Sequence, residues 1–302
     1  MKAVVLHEYG GPDKLKYEHW DDPQVGDGQI IIRVTSAGVN PIDWKLRSGA
    51  AKALMPLDLP TILGYDYSGM VVSVGKGVGG YAEGDRVFGR AGKAYAELLV
   101  GDPAGMSKLP EGLDQIEAAA LPVVLNTGDQ LIKEAGQVQP GQTVVISGAL
   151  GSVGRTAVWV AKKLGAHVIA GVRGSQKKAA EELGADAVIA LDSREEMASL
   201  GFVEVVADTI GGSVGEALLA RIKPGGIYAS IVGPPTTATL HPTIKVVSFG
   251  SHPDAAGMRT LAEDIVKGNF RIPIDRMVPL ADASKAHAAA EKGGIGKVLL
   301  LA

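Results

Sequence analysis

The residues with the clearest chemical signature are glycines. The segment from Ser147 to Gly154 places a glycine at every third position, directly after the apolar run TVVIS and before an amphipathic stretch rich in Ala, Val and Lys. Such a turn brings bare backbone against a pyrophosphate, and the following helix supplies free N–H groups and a partial positive charge. Glycines also serve ordinary turns, but the flanking strand and helix favour a dinucleotide site. We therefore predict cofactor contacts from Gly148, Ala149, Leu150, Gly151, Ser152, Val153 and Gly154.

The residues after the next apolar run indicate which dinucleotide binds. An acidic side chain at that point would accept a hydrogen bond from the ribose 2′-OH and repel a 2′-phosphate. No carboxylate stands between positions 171 and 178, whereas Arg173, Ser175 and Lys177 offer a guanidinium, a hydroxyl and an ammonium that suit a phosphate dianion. The alternative is a solvated helix start with ordinary lysines. The composition of this segment favours NADPH over NADH.

Two kinds of element must position these residues. Up to about Glu117 the apolar runs are short, β-branched and separated by Gly, Pro and Asp, which predicts a mostly antiparallel β domain. From about Ala118, short buried runs alternate with longer Ala-rich stretches, which is typical of βαβ units on a parallel sheet. We expect helices near residues 152–164, 175–183, 215–222 and 255–267.

Composition narrows the function classes. The 302 residues carry a formal net charge of -3 with acidic and basic residues interspersed, so nucleic acid is not an expected partner. The absence of cysteine removes disulfides, thiol nucleophiles and thiolate metal ligands. The six histidines show no two-ligand spacing, so we predict no metal site. No apolar run approaches the roughly 18 residues of a membrane span, and the N-terminus does not resemble a secretory signal, so we expect a cytoplasmic protein.

Several longer motifs accompany the glycine turn. They are AGVNPIDWKLRSG (37–49), LGYDYSGMVVSVG (63–75), AAALPVVLNTGDQL (118–131), DTIGG (208–212) and GGIGKVLL near the C-terminus. With these motifs the chain resembles the medium-chain dehydrogenase/reductase superfamily, in its zinc-independent quinone oxidoreductase branch. The resemblance implies an α/β protein: a GroES-like β domain from residues 1–120 and 260–302, and a Rossmann domain with a doubly wound parallel sheet from 121–259. It also implies a cleft where nicotinamide and substrate meet, and a homodimer joined through the strand in IKVVSFG.

The resemblance further implies which residues do the chemistry. In zinc-dependent relatives the position of Asn40 is a cysteine ligand and the Tyr65-Asp66 pair is His-Glu, so neither a thiolate nor an imidazole is available here. Without a Lewis acid the chemistry should shift to acceptors that are already electrophilic, such as quinones and enones. Asn40 would donate its amide to a substrate or ribose oxygen, Asp43 would orient it or a water, and Tyr65 would be the proton donor. The alternative for Asn40 and Asp43 is ordinary turn chemistry before a short helix.

Four more cofactor contacts follow from the resemblance and from strand order. Thr127 matches a family threonine expected beside the nicotinamide, although a threonine at a helix start is often only a cap. Asp208 ends a strand on the side where nucleotides bind, and Gly233 and Phe249 follow later strands. Their contacts would be to the adenosine or the nicotinamide, with buried packing as the alternative for Phe249.

Three functions remain open at this point. The first is NADPH-dependent reduction of quinones or enones. The second is 2-enoyl-thioester reduction, which is disfavoured because Arg47-Ser48-Gly49 is followed by Ala-Ala-Lys-Ala instead of the aromatic acid that many reductases of the superfamily carry there. The third is a non-catalytic NADPH-binding or redox-sensing protein.

Overall fold

The computed structural model describes residues 1–302 and divides into two compact units. The first unit consists of Met1–Val123 and Pro253–Ala302, and the second of Val124–His252. The first is therefore built from two separate stretches of chain, whereas the second is continuous.

The chain forms sixteen strands and eight α-helices. The strands are β1 (Lys2–Leu6), β2 (Leu15–His19), β3 (Ile30–Val39), β4 (Thr61–Ile62), β5 (Asp66–Val74), β6 (Arg86–Arg90), β7 (Leu98–Gly101), β8 (Met106–Lys108), β9 (Thr143–Ser147), β10 (His167–Val172), β11 (Ala187–Ala190), β12 (Val203–Asp208), β13 (Ile222–Ser230), β14 (Lys245–Ser248), β15 (Ile274–Pro279) and β16 (Lys297–Leu301). The helices are α1 (Pro41–Ser48), α2 (Pro122–Gln130), α3 (Ser152–Lys163), α4 (Lys177–Ala180), α5 (Arg194–Ser199), α6 (Gly212–Leu219), α7 (Ala255–Val266) and α8 (Ala283–Glu291).

The first unit contains two β-sheets. One has the order β2-β1-β4 and is antiparallel. The other has seven strands along the path β15-β16-β3-β5-β6-β8, with β7 paired to β3. Its pairs are antiparallel except β15 with β16. The ten-residue strand β3 is central because its buried apolar side chains pack in the unit's core while it pairs with β5, β7 and β16.

The second unit contains one parallel sheet of six strands in the order β11-β10-β9-β12-β13-β14. Its central strand β9 is apolar and buried on both faces, as expected for a parallel sheet covered by helices. The strand order reverses between β9 and β12, and ligands of such sheets bind outside the carboxyl ends of the strands at this switch point. The predicted α/β fold with a doubly wound sheet is confirmed.

The structure corrects three local predictions. The helix expected at 175–183 is instead three short pieces, with α4 between two 3₁₀ turns (Gly174–Gln176 and Glu181–Leu183), because short helical ends tighten to i+3 bonding. The helix expected at 215–222 begins three residues earlier, since Gly211 at φ 74° allows the chain to enter α6 directly after β12. Thr127 lies inside α2 and not at a helix start, because the helix already begins at Pro122.

No helix of this structure combines the length and the apolarity that crossing a membrane requires.

Candidate active site

The glycine turn joins β9 to the twelve-residue helix α3. Gly148 has φ 65°, and a β-carbon there would lie 2.4 Å from the hydroxyl oxygen of Thr209. A β-carbon on Gly154 would lie 2.2 Å from the carbonyl oxygen of Gly148. Both positions therefore require glycine, one for its backbone conformation and both for the close approach of neighbouring atoms.

The accessible part of the turn is the start of α3. Ala149 and Leu150 are buried, whereas Gly151 is exposed and Ser152 and Val153 are half-buried. A β-carbon on Gly151, the N-cap residue, would approach only the carbonyl oxygen of Gly148, at 3.2 Å, so its outer side is open. A pyrophosphate can therefore approach bare backbone at the N-terminus of α3, where free N–H groups and the helix dipole favour an anion.

Asp208, at the end of β12, lies beneath this turn and is fully buried. Its Oδ1 accepts from the hydroxyl of Ser147 at 2.6 Å and from the backbone N–H groups of Ile210 and Gly211 at 3.1 Å. Its Oδ2 accepts from the hydroxyl of Ser230 at 3.0 Å. The carboxylate thus ties the ends of β9, β12 and β13 together.

The residues after β10 present polar groups to solvent. Arg173 and Ser175 are exposed, which suits contacts with a 2′-phosphate. The ammonium of Lys177 is paired with the carboxylate of Glu196 at 2.9 Å, and the backbone N–H of Gly174 donates to Asp192 at 2.7 Å. Arg173 and Ser175 are therefore the groups most available to a phosphate.

Of the other predicted cofactor residues, Gly233 and Phe249 follow later strands of the same unit, whereas Thr127 lies on the earlier helix α2. Gly233 follows β13 with φ 108° and has open space where a β-carbon would stand. Phe249 follows β14, is half-buried, and donates its backbone N–H to Ser230 at 2.9 Å. The hydroxyl of Thr127 is buried and lies 2.9 Å from the hydroxyl of Ser251. Apart from Thr127, the predicted cofactor residues are thus gathered at the carboxyl ends of the parallel strands.

In the first unit, Asn40 lies in a buried polar cluster at the start of α1. Its Nδ2 donates to Asp66 Oδ2 at 2.8 Å, and its Oδ1 accepts from the ammonium of Lys297 at 2.6 Å. Lys297 also donates to Asp66 Oδ2 at 3.2 Å, and Asp66 Oδ1 accepts from the backbone of Val123 at 2.7 Å. Asn40 is only 1% exposed, so its amide is committed to this cluster.

Asp43, three residues along, is also fully buried. Its Oδ2 accepts from the backbone N–H of Asn40 at 2.7 Å, which satisfies a donor at the start of α1, and from the hydroxyl of Tyr95 at 2.8 Å. Its Oδ1 has no hydrogen-bond partner. Burial raises the pKa of Asp43 from its usual 3.8 to about 7, against the lowering effect of these two hydrogen bonds. Asp43 therefore stabilises the start of α1, as the alternative of ordinary turn chemistry expects, and it also carries a carboxyl group whose pKa is raised.

Tyr65 is the half-buried member of the predicted catalytic group. Its backbone carbonyl accepts from Ala91 at 2.9 Å, and its ring lies 5.9 Å from the guanidinium carbon of Arg90. Burial, followed by the negative charge of Asp43, raises the pKa of its phenol. Tyr65 thus offers an accessible O–H whose acidity depends on Asp43.

Three buried polar residues of the first unit escaped the sequence prediction. Lys297 is the first residue of β16, Tyr95 lies in the loop before β7, and His287 lies on α8. Only Lys297 carried a signal, because an ammonium opens the otherwise apolar run KVLLL within the motif GGIGKVLL.

Two family models match the chain. The alcohol dehydrogenase GroES-like domain matches residues 26–111, and the zinc-binding dehydrogenase model matches residues 183–300. A quinone oxidoreductase of Pseudomonas aeruginosa is 30% identical to the chain, and the alignment covers 99% of each protein. The chain belongs to the medium-chain dehydrogenase/reductase superfamily, in its quinone oxidoreductase branch.

Two further proteins are similar to the chain. A 2-methylene-furan-3-one reductase of Solanum lycopersicum is 33% identical over 77% of the chain, which spans only 62% of that relative's length. The crystal structure of the Escherichia coli quinone oxidoreductase complexed with NADPH superimposes with a TM-score of 0.88 at 25% identity, covering 100% of both chains.

Some dehydrogenases of the superfamily use zinc, as the name of the second matching model says. The residues of this chain do not fit that metal. No three His, Cys, Asp or Glu side chains form a group that could hold a metal ion. At Asn40 the polar partners are a carboxylate and the ammonium of Lys297, and an ammonium within 2.6 Å of the amide oxygen would repel a divalent cation.

Proposed function

We propose that the protein is a zinc-independent, NADPH-dependent reductase that transfers hydride to quinones or other conjugated carbonyls. The observation that carries the proposal is the glycine turn at the carboxyl end of β9, followed after β10 by the exposed side chains of Arg173 and Ser175. The names of the relatives support it, because they describe quinone oxidoreductases, one of them complexed with NADPH, and a furanone reductase.

The second unit supplies the nucleotide contacts in this proposal. The backbone from Gly151 to Val153 holds the pyrophosphate, and Asp208 keeps the turn in position from below. Arg173 and Ser175 hold the 2′-phosphate, whereas Lys177 contributes less because Glu196 already pairs with it. When bound, NADPH supplies a hydride, and the protein supplies orientation and electrostatics.

The first unit supplies the proton. Hydride addition to a quinone or enone leaves negative charge on the acceptor's oxygen, which needs a proton to complete the two-electron reduction. We propose that the half-buried phenol of Tyr65 donates it and is reprotonated from water. Asn40 and Asp43 are buried, so they do not bind the acceptor directly, and the charge of Asp43 raises the pKa of the Tyr65 phenol.

A label-transfer experiment tests this function. The protein is incubated with NADPH deuterated at C4 and, separately, with 1,4-benzoquinone, methyl vinyl ketone and a crotonyl thioester. We expect NADPH oxidation with the quinone and deuterated product from the enone, and little reaction of the thioester. Tight NADPH binding without oxidation or label transfer would support the non-catalytic alternative, and a preference for the thioester would support enoyl-thioester reduction.

We also propose a cytoplasmic homodimer, since NADPH is a cofactor of the cell interior and β14 is an edge strand of the parallel sheet. An edge strand has unpaired N–H and C=O groups that can pair with the same strand of a second copy. Light scattering of the purified protein measures the assembly, and the mass of a single chain would contradict the dimer.

A further inference from the structure

A continuous chain of hydrogen bonds runs from Asp43 through the buried interior of the first unit. The hydroxyl of Tyr95 lies 2.8 Å from Asp43 Oδ2 and 3.3 Å from Nε2 of His287. Nδ1 of His287 lies 3.2 Å from a guanidinium nitrogen of Arg47, which also pairs with Glu291. Tyr95, His287 and Arg47 are each at most 2% exposed. The helices α1 and α8 and the loop before β7 are therefore joined by polar groups that have no role in the proposed mechanism so far.

The guanidinium of Arg47 fixes the direction of this chain. Because a guanidinium only donates, Nδ1 of His287 must accept. Burial, and then the charge of Arg47, lower the pKa of His287 to about 3, so the ring is neutral and carries its proton on Nε2. Nε2 then donates to the oxygen of Tyr95, which leaves the hydroxyl of Tyr95 to donate to Asp43.

This direction decides where Asp43 can hold a proton. Oδ2 already accepts from Tyr95 and from the backbone of Asn40, whereas Oδ1 is buried without any partner. A proton taken up by Asp43 therefore resides on Oδ1. The series of hydrogen bonds thus supplies a donor to Oδ2 of Asp43 and leaves Oδ1 available to bind a proton.

Four other charged or titratable groups act on Asp43 or respond to it. The negative charge of Asp66 raises the pKa of Asp43, and the ammonium of Lys297 lowers it. The hydrogen bond from Tyr95 also lowers it, while burial has the largest effect and raises it to about 7. Asp43 in turn affects Tyr65, because its negative charge raises the pKa of the Tyr65 phenol. The protonation of Oδ1 is thus coupled to the acidity of Tyr65.

We propose that Tyr95 and His287 are positioning residues of the reduction, which hold Asp43 so that protonation of its Oδ1 controls the release of the proton from Tyr65. The inference rests on the proposed function, since it assigns a role within the same reaction. When Oδ1 is unprotonated, the carboxylate holds the phenol proton on Tyr65 by electrostatic attraction. When Oδ1 is protonated, that attraction disappears and Tyr65 donates more readily to the reduced acceptor.

The kinetic test compares two tyrosines. Tyr95→Phe removes the donor to Asp43, so the carboxylate is less stabilised and takes up its proton at higher pH. Tyr67→Phe is the matched control, because Tyr67 is equally buried in the same unit but its hydroxyl has no hydrogen-bond partner. We expect kcat for quinone reduction to fall as pH rises through neutrality, with this limb moved upward by about one pH unit in Tyr95→Phe. Overlapping profiles of wild type and both variants would overturn the proposal.

A second measurement needs no turnover. Carboxyl-labelled aspartate, assigned with Asp43→Asn, reports the titration of Asp43 by carbon NMR in wild type, Tyr95→Phe and Tyr67→Phe. Ring-labelled tyrosine reports the ionisation of Tyr65, which we expect at lower pH in Asp43→Asn. If Asp43 titrates identically with and without the Tyr95 hydroxyl, or Tyr65 ionises identically with and without the Asp43 charge, the coupling is wrong even in an active enzyme. If both shifts are found in a protein that reduces neither quinone nor enone, the proposed function fails while the coupling stands.

Discussion

Asp43 in the first unit and Asp208 in the second are both completely buried, and their carboxylates are hydrogen-bonded in opposite ways. Asp208 in the second unit accepts from two hydroxyls and two backbone N–H groups, spread over both oxygens. Asp43 in the first unit accepts on one oxygen only, and the other has no partner. Burial alone does not decide the role of a carboxylate, because its hydrogen-bond partners determine how easily it keeps its charge.

The two residues therefore differ in the hydrogen bonds that their carboxylates accept, and the pKa of Asp43 is raised by burial. Asp208 joins strand ends around the glycine turn, so changing it should alter stability and nucleotide affinity together. Asp43 belongs to a chain with His287, and these two groups have pKa values displaced in opposite directions. The pH dependence of stability should therefore arise mainly in the first unit.

His287→Gln should give the largest effect, a change in how stability depends on pH. Between pH of about 4.5 and 6.5 the unfolded chain protonates His287 and the folded chain does not, so this residue makes the free energy of unfolding rise with pH by about 1.4 kcal/mol per unit. Asp43 is protonated in the folded chain and ionised in the unfolded chain over the same range, so it opposes this slope equally. Without His287 the free energy of unfolding should fall as pH rises, by about 3 kcal/mol over the range.

Urea denaturation at several pH values measures this slope. The exposed His19 provides the control, and His19→Gln should keep the wild-type dependence. An unchanged slope in His287→Gln would mean that the ring is not held neutral in the folded protein.

Asp43→Asn should change the pH dependence of the free energy of unfolding by a similar amount, but in the opposite direction. Only His287 then contributes, so the free energy of unfolding should rise with pH by about 3 kcal/mol between pH of about 4.5 and 6.5. The contribution of Asp43 in wild type is greatest at low pH and is lost as pH rises through about 7. The double variant with His287→Gln should be nearly independent of pH over this range, and a steep slope there would contradict the pairing of these two groups.

Asp208→Asn should lower stability by about 2 kcal/mol at neutral pH, because an amide nitrogen replaces an oxygen that accepts from buried donors. NADPH affinity should fall as well, since the ends of β9 and β12 are no longer held together. Ser230→Ala removes a single donor and should cost about half as much. Urea denaturation measures the stability, and fluorescence titration measures the affinity for NADPH. An unchanged affinity would show that Asp208 does not hold the glycine turn in its binding conformation.

Arg173→Ala should change a free energy less than His287→Gln, Asp43→Asn or Asp208→Asn does. Loss of one guanidinium contact to the 2′-phosphate should weaken NADPH binding about tenfold, equivalent to about 1.4 kcal/mol, and leave NADH binding nearly unchanged. The exposed neighbour Lys178 provides the control, and Lys178→Ala should bind both nucleotides as wild type does. If Arg173→Ala weakens the binding of NADPH and NADH equally, Arg173 does not contact the 2′-phosphate.

The features that the sequence predicted well are local. The strands TVVIS and HVIAGV, the helix from Ser152 and the glycine turn between them lie in one short stretch of chain, so their patterns specify them directly. The predicted catalytic residues Asn40, Asp43 and Tyr65 do lie in one unit, although the structure shows that Asn40 and Asp43 are buried and hydrogen-bonded to other residues of that unit. Their roles, and those of the cofactor residues, stay predictions.

The polar partners of these residues were not predictable in the same way. Tyr95, His287 and Lys297 are far in sequence from Asn40 and Asp43, and only the pairing of strands and the packing of α8 bring them to these residues. Nothing local distinguishes His287 from the other five histidines, because its properties arise from burial beside Arg47. The buried partners of Asn40 and Asp43 are therefore determined by contacts between distant parts of the sequence and cannot be predicted from residue type alone.

The first unit is built from two separate stretches of chain, and this has a consequence for its folding during translation. β16 pairs with β3, yet it emerges from the ribosome only after the whole second unit has been made. The continuous second unit can fold while the first still lacks β15 and β16, since domains generally fold as units during translation. Until β16 arrives, Asp66 has no ammonium beside it, so the nascent chain passes through a stage with an uncompensated acidic centre.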